Sequence, residues 1–581
     1  MAHHLRFAGR ILAVAAGFLS LSPLSTALAQ YHPITPTMEN ATVTLNSRDL
    51  TVDKVMQVAR FGAKVRIDPA LIERIKDQRG LRVQATQENV PVYGLNRGAG
   101  ARREQKKSVG TPETTVPPWI NNGVMPEVMD EDLVRAIMTI MINAGSYAGP
   151  TPEFVQMVAE LLNKRVTPVF YSRGMLGDGD LPLLNSIQST MNGRGDAYYR
   201  GVRMHASEAL KKAGLKPMKT EGQGAGGNAY GDSLATFMVY DGRLVLEWAD
   251  LANALDRLAM NSSVTPLATP ARTKRPFKWV NWDAARTLDM LKGSYLFQED
   301  PKRILQDPEG LRASHIRQGS AWKAWAALRD AVNIQINGSE SNGLAIVGGK
   351  PEDSWEMSTP FLMQFYVKGG PASNGKSGYI LSNANWDPYP MANMMEAFTN
   401  ALSNAAAAVA MRIERFTDRD ASKFFVGVLP PEVMSEDEIY KAPFLSEPFF
   451  VFMDVWAELQ NAARSVTPEG QASDLGVSDS QAFTRIKGEN GRRVIDLTYQ
   501  LLAYDVWNAS NWINIRKAQD PSRNFGEVPT AAWTAFRKVI PWQQDPYTRP
   551  ELPYGIVAHQ FLKATPASTF YPNGPAMPET N

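Results

Sequence analysis

The sequence predicts a mainly α-helical protein: a long antiparallel helical bundle fed by an N-terminal domain of loops and shorter helices. Two observations carry that expectation. Asp232–Met260, Gly319–Val332, Ala392–Arg419 and Arg492–Lys517 hold long apolar patterns with few helix breakers, and such patterns need a core to bury them. Glycine-rich stretches lie in the N-terminal third, which places loops at one end of the bundle. The expected division is a signal peptide at 1–29, an N-terminal domain at 30–231, the bundle at 232–545 and a C-terminal extension at 546–581. No internal repeat is evident.

In chain order, Arg6 and Arg10 precede the apolar run Ile11 to Leu21, and Ala27-Leu-Ala29 stands before Gln30. That is the layout of a secretory signal peptide with a small-residue cleavage site. A membrane anchor needs about 18 unbroken apolar residues; here Ser20 interrupts the run and Ser22 and Pro23 end it. The expected location is therefore periplasmic or secreted. From Leu50 to Asp77 the spacing of Val52, Val55, Val58, Phe61, Val65 and Ile67 predicts short helices. Arg97 to Pro118 is rich in Gly, Thr, Pro and charge, and reads as an exposed loop whose Arg102-Arg-Glu-Gln-Lys-Lys107 cluster is a solvated tip. Glu131–Asn143 and Glu153–Lys164 read as helices separated by Gly145 to Pro152. Ala392–Arg419 lacks Gly and Pro and is rich in Ala, a strong helix former; at 1.5 Å per residue it would span about 40 Å.

Composition narrows the function classes. With 581 residues, 44% apolar and 21% charged, the chain can bury a large core, enough for about two to four domain-sized units. Removing Arg6 and Arg10 with the signal takes the formal charge from +2 to 0, leaving no electrostatic footprint for nucleic acid. No later segment is apolar enough to span a bilayer. There is no cysteine, which excludes disulfides, thiolate metal sites and cysteine nucleophiles. The histidines left after cleavage, His32, His205, His315 and His559, show no ligand spacing, so no metal is expected.

Three motifs have weak claims. Gly222-Gln-Gly-Ala-Gly-Gly227 satisfies the dinucleotide fingerprint, but Leu215–Thr220 before it is a poor strand. Asp178 and Asp180 lack the third carboxylate and twelve-residue pattern of a calcium loop. Asn337-Gly-Ser339 is formally a glycosylation sequon.

Pro91-Val-Tyr-Gly-Leu-Asn-Arg-Gly-Ala-Gly100 and Gly174-Met-Leu-Gly-Asp-Gly-Asp-Leu181 point further. They resemble the tyrosine loop and the prosthetic-group loop of the aromatic amino acid ammonia-lyases, the histidine and phenylalanine lyase family. Leu181 to Gly214, Gln306-Asp-Pro-Glu-Gly-Leu-Arg312, Gln335-Ile-Asn-Gly-Ser-Glu-Ser-Asn342 and Ser382-Asn-Ala-Asn-Trp-Asp-Pro-Tyr-Pro-Met-Ala392 are similar to further blocks of that family. They occur in family order between about Leu50 and Pro541.

The resemblance implies an α-helical homotetramer whose sites combine loops of several subunits and take a small aromatic substrate. It makes Tyr93 the base that removes a β-proton, a role open to a tyrosine where cations or hydrogen bonds stabilise its phenolate. Arg312 would grip the substrate carboxylate in a two-pronged contact. Asn228 and Asn385 would hydrogen-bond the substrate, and Gln481 would lie near its amino group. The family cyclises an Ala-Ser-Gly triad into an electrophilic methylidene-imidazolone. Here Gly177, Asp178 and Gly179 stand in that loop, which is one residue short and has no serine, so the prosthetic group is expected to be absent and no other cofactor is implied. Other departures are Glu309 for a tyrosine, Ala482 for an acidic residue and Trp386-Asp387 for a Phe-His pair.

Without the electrophile, elimination needs a good leaving group, such as the quaternary ammonium that ergothionase-type members of the superfamily expel. The expected reaction is β-elimination of an amine, with trimethylamine one such amine, from an aromatic amino acid or its betaine. Glu309, expected to be a buried carboxylate paired with Arg312 or a substrate cation, would form the cation-side wall with Trp386. The alternatives are a catalytically inactive binding or scaffold protein on a lyase fold, and an isomerase or cyclase using the same tyrosine.

Overall fold

The computed structural model describes residues 30–106, 125–218, 227–301, 303–417, 449–466, 468–542 and 550–580. Residues 1–29, expected to be a signal peptide, the end of the basic tip beyond Lys106 and residues 222–226 of the glycine-rich run lie outside these described residues. The chain is mainly helical, as its patterns predict.

The N-terminal region begins with β1 (Thr42–Leu45), α1 (Val52–Ala59), β2 (Lys64–Ile67) and α2 (Pro69–Gln87). β1 and β2 pair in parallel, Val43 opposite Val65 and Leu45 opposite Ile67. This corrects the expectation of helices alone from Leu50 to Asp77: four-residue strands are too short to show a period of two, and pairing with a distant strand overrides local spacing. Caps fix where the helices start. The Thr51 side chain accepts the Lys54 N–H, and the Asp68 carboxylate accepts that of Ala70 ahead of a first-turn Pro69. Next come α3 (Glu131–Gly145), α4 (Pro152–Lys164), β3 (Val166–Pro168), α5 (Leu181–Met191), β4 (Asp196–Tyr199), β5 (Val202–His205) and α6 (Ala206–Lys212). β3, β4 and β5 form an antiparallel sheet.

The bundle is built from α7 (Ala229–Ala259), α8 (Lys278–Met290), α9 (Ser314–Gln335), α10 (Tyr389–Thr417), α11 (Phe449–Ala462), α12 (Thr484–Gln519), α13 (Glu527–Val539) and α14 (Tyr554–Ala564). α7 lies along α12, and α10 packs against both α9 and α12. The 231/232 division falls inside the first turn of α7, and α14 packs on α12. Glycine permits the close approaches: a Cβ on Gly491 would stand 2.3 Å from Met238 of α7, and one on Gly242 would stand 2.7 Å from Phe398 of α10. Inside the bundle Arg412 is buried against Asp505 (2.6 Å) and Asp256. No described helix is long and apolar enough to cross a membrane.

Between α9 and α10 lies an antiparallel sheet of β6 (Leu344–Val347), β7 (Tyr366–Val367) and β8 (Gly378–Leu381), in the order β6-β8-β7. Ala345, Val367 and Ile380 share a small separate core with Leu81 and Ala85 of α2 and with Val90 and Val92. That core holds up the loop carrying Tyr93.

Candidate active site

Three loops converge at the end of the bundle where α7, α10 and α12 begin and α9 ends. The first carries Tyr93. Asn96, buried at its centre, accepts the Val92 N–H through Oδ1 and donates to the Val90 carbonyl through Nδ2, both at 2.7 Å. The half-buried Tyr93 hydroxyl accepts the Gly100 N–H at 3.0 Å. Asp474 then ties this loop to the third one by accepting the Ala101 N–H at 2.9 Å.

The second loop holds Gly177, Asp178 and Gly179, with both glycines at positive φ (74° and 72°). Asp180 is buried and accepts the Gly177 N–H at 3.0 Å. Burial pushes its carboxyl up to about 7 against that hydrogen bond. The Gly179 N–H donates to Asn228 Oδ1 at 2.9 Å. Asn228, fully buried at the start of α7, donates through Nδ2 to the Trp386 carbonyl at 2.7 Å. Its backbone N–H donates to Glu340 at 2.8 Å.

The third loop precedes α12. Phe483 N–H donates to the Leu176 carbonyl at 2.8 Å, while buried Gln481 accepts the Gln471 N–H and donates to the Ser478 carbonyl. Partial burial raises the Asp178 carboxyl, Ser478 and Gln481 oppose the rise by hydrogen bonding, and the negative charges of Asp387 and Asp479 add to it. Acidic groups therefore surround the point at which the family resemblance expects an electrophile.

Those residues do not fit a methylidene-imidazolone. Its formation removes water from a serine side chain, and Gly177, Asp178 and Gly179 offer no β-hydroxyl. The Gly179 nitrogen, moreover, is committed as a donor to Asn228.

The structure thus brings together Gly177, Asp178, Gly179, Asn228, Gln481 and the backbone of Trp386, with Tyr93 on the adjoining loop. Asn385 is exposed; its N–H donates to Asn383 Oδ1 at 2.8 Å. Glu309 and Arg312 are elsewhere in the chain. They precede α9, whereas Glu340 follows it, and 22 residues of helix separate the two ends by about 33 Å. Within one chain the Glu309 side chain is 88% exposed rather than buried, 3.5 Å from Arg312, and Gly310 beside it packs on Met411, far along α10 from Trp386. On its one-turn helix the carboxylate keeps its water and has Arg312 as its cation, one of the two expected pairings. Within one chain Glu309 and Trp386 therefore form no common wall. Sequence reasoning also missed Asn96, Asp232 and Glu340. Asn96 stood inside the quoted tyrosine loop and Glu340 inside the quoted block Gln335 to Asn342, whereas no motif marks Asp232.

The sequon is structural. Asn337 of the sequon accepts the Leu50 N–H at 2.9 Å and donates to the Leu50 carbonyl at 2.7 Å. Among the described residues no His, Asp or Glu cluster is arranged to hold a metal ion.

Comparison with known proteins agrees with this architecture. The aromatic amino acid lyase family model matches residues 50–538. The histidine ammonia-lyase of Stigmatella aurantiaca is 24% identical over 514 residues, covering 87% of this chain and 93% of that protein. The histidine ammonia-lyase of Treponema denticola is 31% identical over 315 residues, 52% of this chain and 61% of that protein. Among solved structures, ergothionase from Treponema denticola, in complex with desmethyl-ergothioneine sulfonic acid, superposes with a TM-score of 0.74 at 21% identity, covering 90% of this chain and 99% of its own. Phenylalanine aminomutase from Pantoea agglomerans gives a TM-score of 0.74 at 16% identity, covering 90% and 98%. With the family matched across most of its length, the chain belongs to the aromatic amino acid lyases, and so to the C–N lyase class of enzymes.

Proposed function

We propose that this protein is an exported C–N lyase that works without a methylidene-imidazolone, eliminating an amine from the betaine of an aromatic amino acid. One observation carries the reading: a carboxylate, Asp178, stands with Asp387 and Asp479 near it where the family forms an electrophile. An electrophile activates a neutral amine, whereas an acidic site favours a cation. A quaternary trimethylammonium carries its charge permanently and leaves as a neutral amine.

In the elimination, the Tyr93 phenolate takes a proton from Cβ, the C–H electron pair becomes the Cα=Cβ bond, and the C–N pair departs with trimethylamine. The products are an aryl acrylate and the free amine. Asp178 and the face of Trp386 form the cation side, a cation–π contact contributing about 0.5–2 kcal/mol. Asn228 and Gln481 hold the loop, and positioned general-base catalysis supplies roughly 10²–10⁴-fold. Arg312 binds the substrate carboxylate from a neighbouring copy, since it lies a helix length from Tyr93's end of its own bundle. This makes the active form an oligomer, for which we propose a homotetramer. Residues 1–29 support export to the periplasm or beyond.

The test is incubation of the purified mature protein with paired aromatic betaines and α-amino acids, following absorbance of the unsaturated acid and release of amine. The expected result is stoichiometric acid and amine from a betaine and neither from its amino acid. Tight binding without turnover would instead identify a binding protein on a lyase fold.

A further inference from the structure

Behind Asn228 lie two buried carboxyls that the elimination does not use. Asp232 is one helical turn along α7, and its side chain meets Glu340, which follows α9. Their hydrogen bonding is unequal. Glu340 accepts the Asn228 N–H at 2.8 Å through Oε2, and the Gln335 side-chain N–H through Oε1. Neither carboxyl oxygen of Asp232 receives an N–H or O–H from the described residues. The charged groups acting on Asp232 are Glu340 and, from the loop before α5, Asp180, both acidic; α12 faces this part of α7 with Thr484 and Gly488. Asp180 is in turn acted on by Glu340 and Asp178.

Two carboxyls in contact without a cation do not both ionise. The one supplied with donors is the natural carboxylate, and the one without them is the acid that can donate. We infer that Asp232 and Glu340 share one proton, Asp232 donating to an ionised Glu340, and that this pair is a positioning device for the Gly177–Gly179 loop. The path is short: Glu340 holds the Asn228 backbone, Asn228 Oδ1 holds the Gly179 N–H, and Asn228 Nδ2 holds the Trp386 carbonyl. Burial raises both carboxyls above their ordinary values; the charge of Glu340 raises Asp232 further, whereas the hydrogen bonds that Glu340 accepts, Asp232's among them, oppose its rise. Gly227 makes room, since a Cβ there would stand 2.3 Å from Glu340 Oε2.

The inference rests on the reading of this loop as the reaction centre only for its catalytic meaning, and its test needs no substrate. The folded pair keeps a proton that the unfolded chain releases above about pH 4. Its contribution is fully present below that pH and is lost as pH rises through the raised folded value, by about tenfold in the unfolding equilibrium per pH unit for one proton. Asp232→Asn keeps the shape and supplies a permanent N–H donor to Glu340. Compared with the wild type, it should fold with one proton fewer taken up across that window, and should keep segment 175–184 protected from deuterium exchange at a pH where the wild type loosens. Glu340→Gln removes a charged acceptor from the Asn228 N–H and should raise exchange of that segment at least tenfold at every pH. Identical proton uptake in Asp232→Asn and wild type would overturn the shared proton. Unchanged exchange in a folded Glu340→Gln protein would overturn the positioning role. Should Glu340→Gln fail to fold, the Asp232→Asn comparison of uptake and exchange decides alone.

Discussion

The side-chain oxygen of Asn228 accepts the backbone N–H of Gly179 at 2.9 Å, joining the start of α7 to the loop on which the proposed chemistry turns. Asn228→Ala leaves that N–H and the Trp386 carbonyl without their partner. Each buried polar group so orphaned costs about 1–3 kcal/mol. With two such groups, denaturant unfolding should show a loss of about 2–6 kcal/mol, and turnover should fall with it; unchanged stability would mean that water replaces the amide.

Tyr93→Phe separates the base from the fold. Its hydroxyl accepts a single backbone N–H, from Gly100, so stability should change by no more than about 0.5–1.5 kcal/mol. Amine release should fall roughly 10²–10⁴-fold while calorimetric binding of the betaine persists. Retained turnover would assign the base elsewhere.

Asp178→Asn and Glu309→Gln distinguish two carboxylates. Asp178 lies within the loop cluster and Glu309 is 88% exposed beside Arg312. Asp178→Asn should weaken a cationic betaine by at least about tenfold, 1.4 kcal/mol, and spare a neutral isostere. Glu309→Gln should leave the melting temperature unchanged and should weaken the betaine less than Asp178→Asn does, since Glu309 reaches the site only beside Arg312 of a neighbouring copy. The reverse pattern in competition binding would return the cation site to Glu309.

Much of the fold was legible because long helices advertise themselves. Asp232–Met260 and Ala392–Arg419 repeat apolar residues around a helix, and α7 and α10 follow within a few residues. β1, β2 and the β6–β8 sheet were not, because each strand is four residues or fewer and is defined by a distant partner. At the site, the resemblance put Tyr93, Arg312 and Trp386 in one constellation. A single chain separates Arg312 from the others because α9 intervenes, a distance that no motif records. Glu340 sits within a quoted turn motif, but its importance comes from meeting Asn228 across 112 positions.

Arg412 tests the bundle itself. It is buried between Asp505 and Asp256, whose carboxyls are raised by burial and whose charges hold its guanidinium ionised. Arg412→Met leaves the two acids buried and facing each other, which should cost about 3–5 kcal/mol in chemical unfolding. Asp256→Asn added to Arg412→Met should restore part of that loss; no restoration would show that packing, not charge, sets the cost.

The central claim is that elimination proceeds here without the family's prosthetic group, and the mass of one peptide tests it. Peptide mass spectrometry across Phe170 to Leu184 of the mature, active protein should return the genetically encoded mass, because Gly177, Asp178 and Gly179 have no side-chain hydroxyl to lose. A peptide lighter by the loss of water would contradict it.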